Sequence, residues 1–263
     1  MASSSHPTSV RTGHFVHRRR SALALAAVAA ACLAVAACGG SGSSGGTTSS
    51  STGSADPLAA MSAKQVVAKS VADLKAAKSF LLVGSVTDAG QAQGLDIGYL
   101  KGKGCQGTVT EGTKGSIALV VIGTTAWIKP DNKFLQSTAG SQASAAIALL
   151  SGRWLKGNTS NANVASVTSV CDVNSLTSSF TDTGTLVKGK LTTLRGQQVL
   201  PITDTTKGGT FYATNTATPQ VVQISNTTGK GGSTGTVKFD IGAPVTLTPP
   251  PASQTVDGTA FGF

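Results

Sequence analysis

The chain has 263 residues, of which 40% are hydrophobic and only 12% charged, with a formal net charge of +10. Its three histidines, His6, His14 and His17, lie near the N-terminus, so the remainder can build no Ser-His-Asp triad, Cys-His dyad or histidine-based metal site. The lysines are scattered and the acidic residues occur singly, which argues against a nucleic-acid surface, a paired-carboxylate site and a calcium loop.

The N-terminus reads as an export signal. Arg18-Arg19-Arg20 is followed by the 17 residues from Ser21 to Ala37, nearly all Ala, Leu and Val, and small residues then precede Cys38. The order of charged, apolar and small segments is that of a secretory signal peptide over 1–37. Val35-Ala36-Ala37-Cys38 resembles the lipobox of bacterial lipoproteins, which implies that Cys38 becomes the acylated first residue. A transmembrane helix is the competing reading, but the run is at the short limit for spanning. Arg19-Arg20 resembles a twin-arginine signal only weakly, so Sec and Tat export both remain open. Residues 38–57 form the lipidated Cys and a Gly/Ser/Thr-rich linker, and a linker of this length and composition has a root-mean-square span of about 25 Å. Four of the 21 Lys and Arg residues precede Cys38 and all 11 acidic residues follow it, so the exported chain carries +6. A mildly basic body beside an anionic envelope adds weak attraction to the membrane.

Two further cysteines remain beyond Cys38, Cys105 and Cys171. An even number in an exported chain makes a disulfide the simplest reading, with two free buried thiols as the alternative.

The body, residues 58–250, opens with a helix. Ser62 and Gln65 match a capping box, and Val67, Val71 and Leu74 recur at helical spacing until near Ser79. Strands are expected at Phe80–Val83, Leu95–Leu100, Gln106–Thr110, Ile117–Ile122 and Thr125–Lys129. Their short spacing reads as an antiparallel meander. An Ala-rich helix over Ser141–Leu150 carries Ile147 and Leu150, then Arg153–Gly157 reads as a strand and Asp172–Phe180 as a helix. Strands return at Thr185–Lys190, Gln198–Ile202, Thr210–Ala213, Val221–Ile224 and Thr236–Ile241. In the last of these Val237, Phe239 and Ile241 share one face, so one side of the sheet is covered and the other wetter. The order predicts an α+β domain with helices on one side of a long antiparallel sheet. Residues 251–263 read as a polar C-terminal tail.

The first helix, Thr124-Thr125-Ala126-Trp127-Ile128-Lys129, Gly152-Arg153-Trp154-Leu155-Lys156, the Gly235–Asp240 strand and Gly242-Ala243-Pro244-Val245 together resemble the actinobacterial LppX/LprG group of lipoproteins, within the LolA/LolB-like superfamily of lipid and lipoprotein carriers. The resemblance implies a half-barrel, with a curved antiparallel sheet wrapped around helices on its concave face and an apolar cavity for acyl chains between them. The lining residues to consider are Val67, Val71, Leu74, Ile147, Leu150, Trp154, Phe211, Val237 and Phe239, each of which also has the plainer reading of a core residue. The expected protein is not an enzyme and needs no cofactor or metal. It is exported and held by its lipid anchor at the outer face of the cytoplasmic membrane. Its expected partners are the membrane, an acylated lipid or lipoglycan, and an envelope transporter, with no nucleic acid. Acyl chains suit such a site because each buried CH₂ contributes about 0.8 kcal/mol without directed polar chemistry.

Two other functions fit the same residues. One is a structural or protein-interaction lipoprotein with a closed core. The other is a hydrolase built on a Ser-Lys pair, Ser62 with Lys64 or Ser70 with Lys69, a juxtaposition common by chance.

Overall fold

The computed structural model describes residues 56–181 and 184–262. The signal peptide, Cys38 and the linker as far as residue 55 lie outside the described residues. The body is a set of strands joined edge to edge into one open, curved sheet, with short helices packed against it.

Helix α1 (Ala63–Ala76) starts where its capping residues demand. Gln65 N donates to Ser62 Oγ at 3.2 Å, and Ser62 N donates to Gln65 Oε1 at 2.7 Å, so two of the orphan N–H groups of the first turn are satisfied reciprocally. Its stripe Val66, Val67, Ser70, Val71 and Leu74 is buried.

Six strands follow as a meander: β1 (Ser79–Asp88), β2 (Gln91–Leu100), β3 (Gly104–Glu111), β4 (Ser116–Ile122), β5 (Thr125–Pro130) and β6 (Trp154–Asn158). A second antiparallel run is built from β7 (Leu186–Lys188), β8 (Thr192–Leu194), β9 (Gln197–Asp204), β10 (Thr210–Thr214), β11 (Val221–Asn226) and β12 (Ser233–Ile241). The first strand of one run pairs with the last strand of the other, β1 against β12, which joins both into one sheet. Because side chains alternate along a strand, the register sets rows across it. One buried row reads Ile128, Leu119, Gly107, Ile97, Leu82 and Phe239. This row and the α1 stripe belong to one core, which Val164 of helix α4 (Ala162–Thr168) and, half-buried, Leu176 and Phe180 of helix α5 (Val173–Thr181) also join.

The sheet departs from the antiparallel expectation at one edge. Beyond β12 the chain runs without regular structure along the other face. A side chain on Gly98 would meet Val245, and Thr248 N donates to Gln106 Oε1 at 3.2 Å. Gly98, Gln106, Val120 and Trp127 form a single row on that face, and Val120 is buried. The segment then adds β13 (Thr255–Asp257) parallel to β6, with Val256 opposite Leu155. The C-terminal stretch is therefore part of the sheet as well as polar, and the sheet is mixed. The alternation in Thr255-Val256-Asp257 is too short to be read as a strand before its partner is known.

Two short helices were not legible in advance. Helix α2 (Asn132–Thr138) begins at Asp131, whose Oδ1 accepts from Phe134 N at 2.6 Å, and α4 begins at Asn161, whose Oδ1 accepts from Asn163 N at 2.9 Å. Helix α3 (Ala143–Leu150) occupies the Ala-rich stretch. With α2 it forms a separate small cluster of Leu135, Leu150 and Leu155, against which Ile147 and Val256 pack. Among the described residues no helix is long and apolar enough to cross a membrane.

Candidate functional site

The concave face leaves a space unfilled between α5 and the middle of the sheet. Its larger lobe is a cavity of about 430 Å³, with a floor of Leu82, Val86, Leu95, Ile224 and Val237 and a wall of Leu176 and Phe180 from α5. A smaller lobe of about 150 Å³ continues between α1 and the second run of strands, lined by Val67, Leu186, Ile202 and Phe211. Both lobes share Phe180, Ile224 and the Lys207-Gly208-Gly209 turn. The lining is mainly aliphatic and aromatic, and its polar side chains are Lys207, Asn226, Lys230, Ser233 and Thr234.

The lobes meet because register aligns their floors. Phe211 pairs with Ile224, Ile224 with Val237, and Val237 with Gly84. Gly84 carries no side chain, so this row has a gap where β1 crosses it, and Leu95 stands on its far side. A Cβ on Gly84 would collide with the Thr236 carbonyl. The absent side chain thus also lets the β12 backbone pass close to β1 at this point.

Helix α5 is held over this space by two links. Cys105 of β3 and Cys171 form the disulfide, with Cα atoms 5.6 Å apart and a separation of 66 positions in sequence. Beside it, Tyr99 Oη donates to the Val170 carbonyl at 2.7 Å, and burial pushes the Tyr99 phenol well above its ordinary pKa. Just before the helix, Asp172 Oδ2 accepts from Ser175 Oγ at 2.6 Å.

At the rim, Asp204 is a buried carboxylate. It accepts from Gly184 N at 2.7 Å, Lys207 N at 2.8 Å and Thr206 N at 2.9 Å. Burial works to raise this carboxyl, but the three N–H groups and the Lys207 charge hold it below the usual carboxylate range. Lys188 has a different duty. Its Nζ donates to the carbonyls of Leu58 and Met61, each at 2.7 Å, and to that of Ala59 at 3.3 Å. It thereby clamps the segment that leads into α1 onto β7, two residues from Leu186 of the smaller lobe.

The nine residues singled out in the sequence separate into groups. Val67, Phe211 and Val237 line the cavity. Val71 and Phe239 are core residues packed beside it. Leu74 lines a different cavity of about 380 Å³ at the other end of the core, with Phe80, Tyr99, Val121 and Cys171. Ile147 and Leu150 belong to the separate α2–α3 cluster. Trp154 lies on neither cavity, and Lys129 Nζ stands 4.8 Å from its ring centre. These last three point into another part of the molecule because α3 and β6 lie at the far edge of the sheet. Ser62 and Lys64, and Ser70 and Lys69, form no dyad: Ser62 caps α1, the Ser70 hydroxyl is buried without a partner, and Lys69 Nζ donates to the Ala217 carbonyl at 2.8 Å.

The sequence yields the helix at Asp172–Phe180 but not Leu176 and Phe180 as lining residues, although Val173, Leu176 and Phe180 recur at helical spacing. Leu82 and Leu95 were read as strand residues, and nothing local distinguishes a residue facing a void from one facing a neighbour.

No family model matches the chain, and no curated protein does. Among solved structures it is similar to LprF from Mycobacterium bovis, at 13% identity and a TM-score of 0.49, covering 72% of this chain and 96% of that one. It is also similar to the Mycobacterium tuberculosis lipoprotein LppX, at 13% identity and a TM-score of 0.45, covering 71% of this chain and 98% of that one. An uncharacterized conserved protein from Thermus thermophilus follows at 10% identity and a TM-score of 0.37, covering 74% and 98%. The two mycobacterial structures are of the LppX/LprG type that the sequence resembles.

Proposed function

We propose that the protein is a non-enzymatic lipoprotein that binds an acylated lipid or lipoglycan in the two-lobed cavity, and presents or transfers it at the outer face of the cytoplasmic membrane. The observation that carries this reading is the apolar space of about 430 Å³ between α5 and the sheet, within the size range of small-molecule sites. Its floor offers aliphatic contact and no reactive group, which suits an acyl chain. The closed-core alternative would need that space filled. Cys38 is the lipidation site in this proposal. The Lys188 clamp supports an anchored carrier, since it fixes the start of the domain beside the smaller lobe.

The test is isolation of the full chain from membranes, followed by lipid extraction and mass spectrometry. Acyl lipids should co-purify, and fluorescent fatty acids should bind. A Val237→Trp variant, which fills the larger lobe, should lose that binding while remaining folded. Absence of both co-purified lipid and probe binding would overturn the proposal. Cys38→Ala should release the protein from the membrane fraction.

A further inference from the structure

The chain has two tryptophans, Trp127 and Trp154, and both stand on the outer face of the sheet, away from the two-lobed cavity. Each precedes an inward residue, Ile128 or Leu155, and these two are register partners. Side chains alternate along a strand, so the tryptophans face the other way. On the same face Trp127 lies opposite Lys156, Lys156 opposite Asp257, and Thr125 opposite Asn158. The C-terminal segment crosses this face, and between it and strands β5 and β6 runs an open groove of about 750 Å³. Trp127, half-buried, and Pro250 line the groove together with Thr125, Lys156, Asn158 and Asp257.

The walls are fixed by the chain itself. Strand β13 pairs with β6, Gly258 N donates to the Lys156 carbonyl at 2.8 Å, and Thr255 Oγ1 donates to the Pro251 carbonyl at 3.0 Å. Asn158 Oδ1 accepts from Ser160 N at 2.9 Å and from Ser160 Oγ at 2.8 Å, which sets the plane of its amide. The Asn158 Nδ2 group, the Thr125 hydroxyl and the Trp127 indole N–H have no partner among the described residues. Among those residues Lys156 and Asp257 are the ionisable groups that line the groove, and they are neighbours of opposite sign. The Thr259 N–H, which donates to Asp257 Oδ1 at 2.9 Å, and the Lys156 charge hold the Asp257 carboxyl below the usual carboxylate range. The groove thus combines an aromatic plate, unsatisfied donors and a balanced pair of charges.

From this arrangement we infer that the groove is a saccharide site, in which a neutral hexopyranose ring lies against Trp127 and its hydroxyls meet Asn158, Thr125 and the Lys156–Asp257 pair. A pyranose carries C–H groups on its faces and hydroxyls around its edge. The C–H groups are weakly electropositive and suit the negative face of an indole. The edge hydroxyls both donate and accept, which a set of amide, hydroxyl, ammonium and carboxylate satisfies. A bilayer surface fits this face less well. The polar groups stand in a concavity, and anionic headgroups attract basic clusters rather than a lysine beside its own carboxylate. The inference goes beyond the lipid-binding reading and is independent of it, since groove and cavity lie on opposite faces of the sheet.

Trp127 reports on its own site. In a Trp154→Phe variant it is the single tryptophan, so the full chain carrying that change is titrated with gluco-, manno-, galacto- and N-acetylglucosamine hexasaccharides while the indole emission is followed. At least one sugar should move the emission saturably to shorter wavelength, and calorimetry on the wild type should return the same affinity. Trp127→Ala should weaken that binding about tenfold or more, with Trp154 emission and circular dichroism showing the fold intact. Asn158→Ala should weaken it about threefold to tenfold. Raising the salt about tenfold should leave the affinity unchanged, because the ligand is neutral. No saturable response to any of the sugars, binding that survives Trp127→Ala, or binding lost in salt would overturn the site. So would a Trp127 shift with phosphatidylglycerol vesicles and none with sugars, which would make this face a membrane contact. Fatty-acid binding by Trp127→Ala should equal the wild type, so the groove and the cavity are tested separately.

Discussion

Phe180 meets Phe239 edge-on, with ring centres 5.9 Å apart, and so couples α5 to the middle of the sheet. Phe239 in turn lies 6.5 Å from Phe80, which stacks on Tyr99 at 4.3 Å. Phe180 lines the larger lobe, whereas Phe80 and Tyr99 line the second cavity. The four rings therefore stand between two spaces, and Phe239 is the member that lines neither of them. A Phe239→Leu variant should be less stable by about 1–2 kcal/mol. It should also join the two spaces, shifting preference in a chain-length series of fluorescent fatty acids toward longer chains. An unchanged chain-length profile in a folded variant would show that the rings do not limit the site.

The Cys105–Cys171 bridge closes a loop of about 65 residues, for which the chain-entropy model gives about 4 kcal/mol. The double Cys→Ala variant should show a thermal midpoint lowered by a corresponding amount. Because Cys171 precedes α5 directly, it should also bind the fatty-acid probe more weakly than its folded fraction accounts for. Tyr99→Phe, which removes the hydrogen bond to Val170, should cost about 1 kcal/mol.

Gly107 lies in the buried row between Ile97 and Leu119, where a Cβ would collide with the Asp96 carbonyl oxygen. Gly107→Ala should destabilise the protein by about 2 kcal/mol or more, because a neighbouring strand must move. Gly94→Ala, where the nearest atom is Thr110 Cβ at 3.4 Å and φ is not positive, should be neutral or slightly stabilising. Denaturant midpoints of the two variants give the comparison. Equal effects would mean that close strand approach is not what Gly107 provides.

The depressed Asp204 carboxyl makes stability depend on acid. A folded-state pKa below the unfolded one means that the ionised group stabilises the fold above the unfolded value, about pH 4, and that this contribution is lost as pH falls through the folded-state value. Asp204→Asn should lower the thermal midpoint at pH 7. It should also flatten the decline in midpoint between about pH 4 and pH 2. A variant whose acid limb parallels the wild type would assign that decline to other carboxylates.

Much of the architecture was legible because it is written locally. Ser62 and Gln65 announce the start of α1 through contacts three residues apart. Val237, Phe239 and Ile241 alternate as β12 does, and Ile117–Ile122 is strand β4. Helices α2 and α4 escaped notice because each is seven residues long, about two turns, with a single capping side chain as its signal.

Alone, the sequence determined the longer helices and strands, which face of each is apolar, and that Cys105 and Cys171 are available to pair, since all of these follow from residue type and period. Tertiary structure decided what each apolar face meets. Val67, Phe211 and Val237 come together across a cavity, whereas Ile147, Leu150 and Trp154, equally apolar in sequence, fall at the far edge. Only the continuous register from β9 through β12 to β1 aligns the gap at Gly84 with the floor of a chamber, and only the close packing of two turns 23 residues apart sets Gly208 against Lys230. A void and a contact between two turns are relations between distant parts of the chain, and period and propensity describe only the near ones.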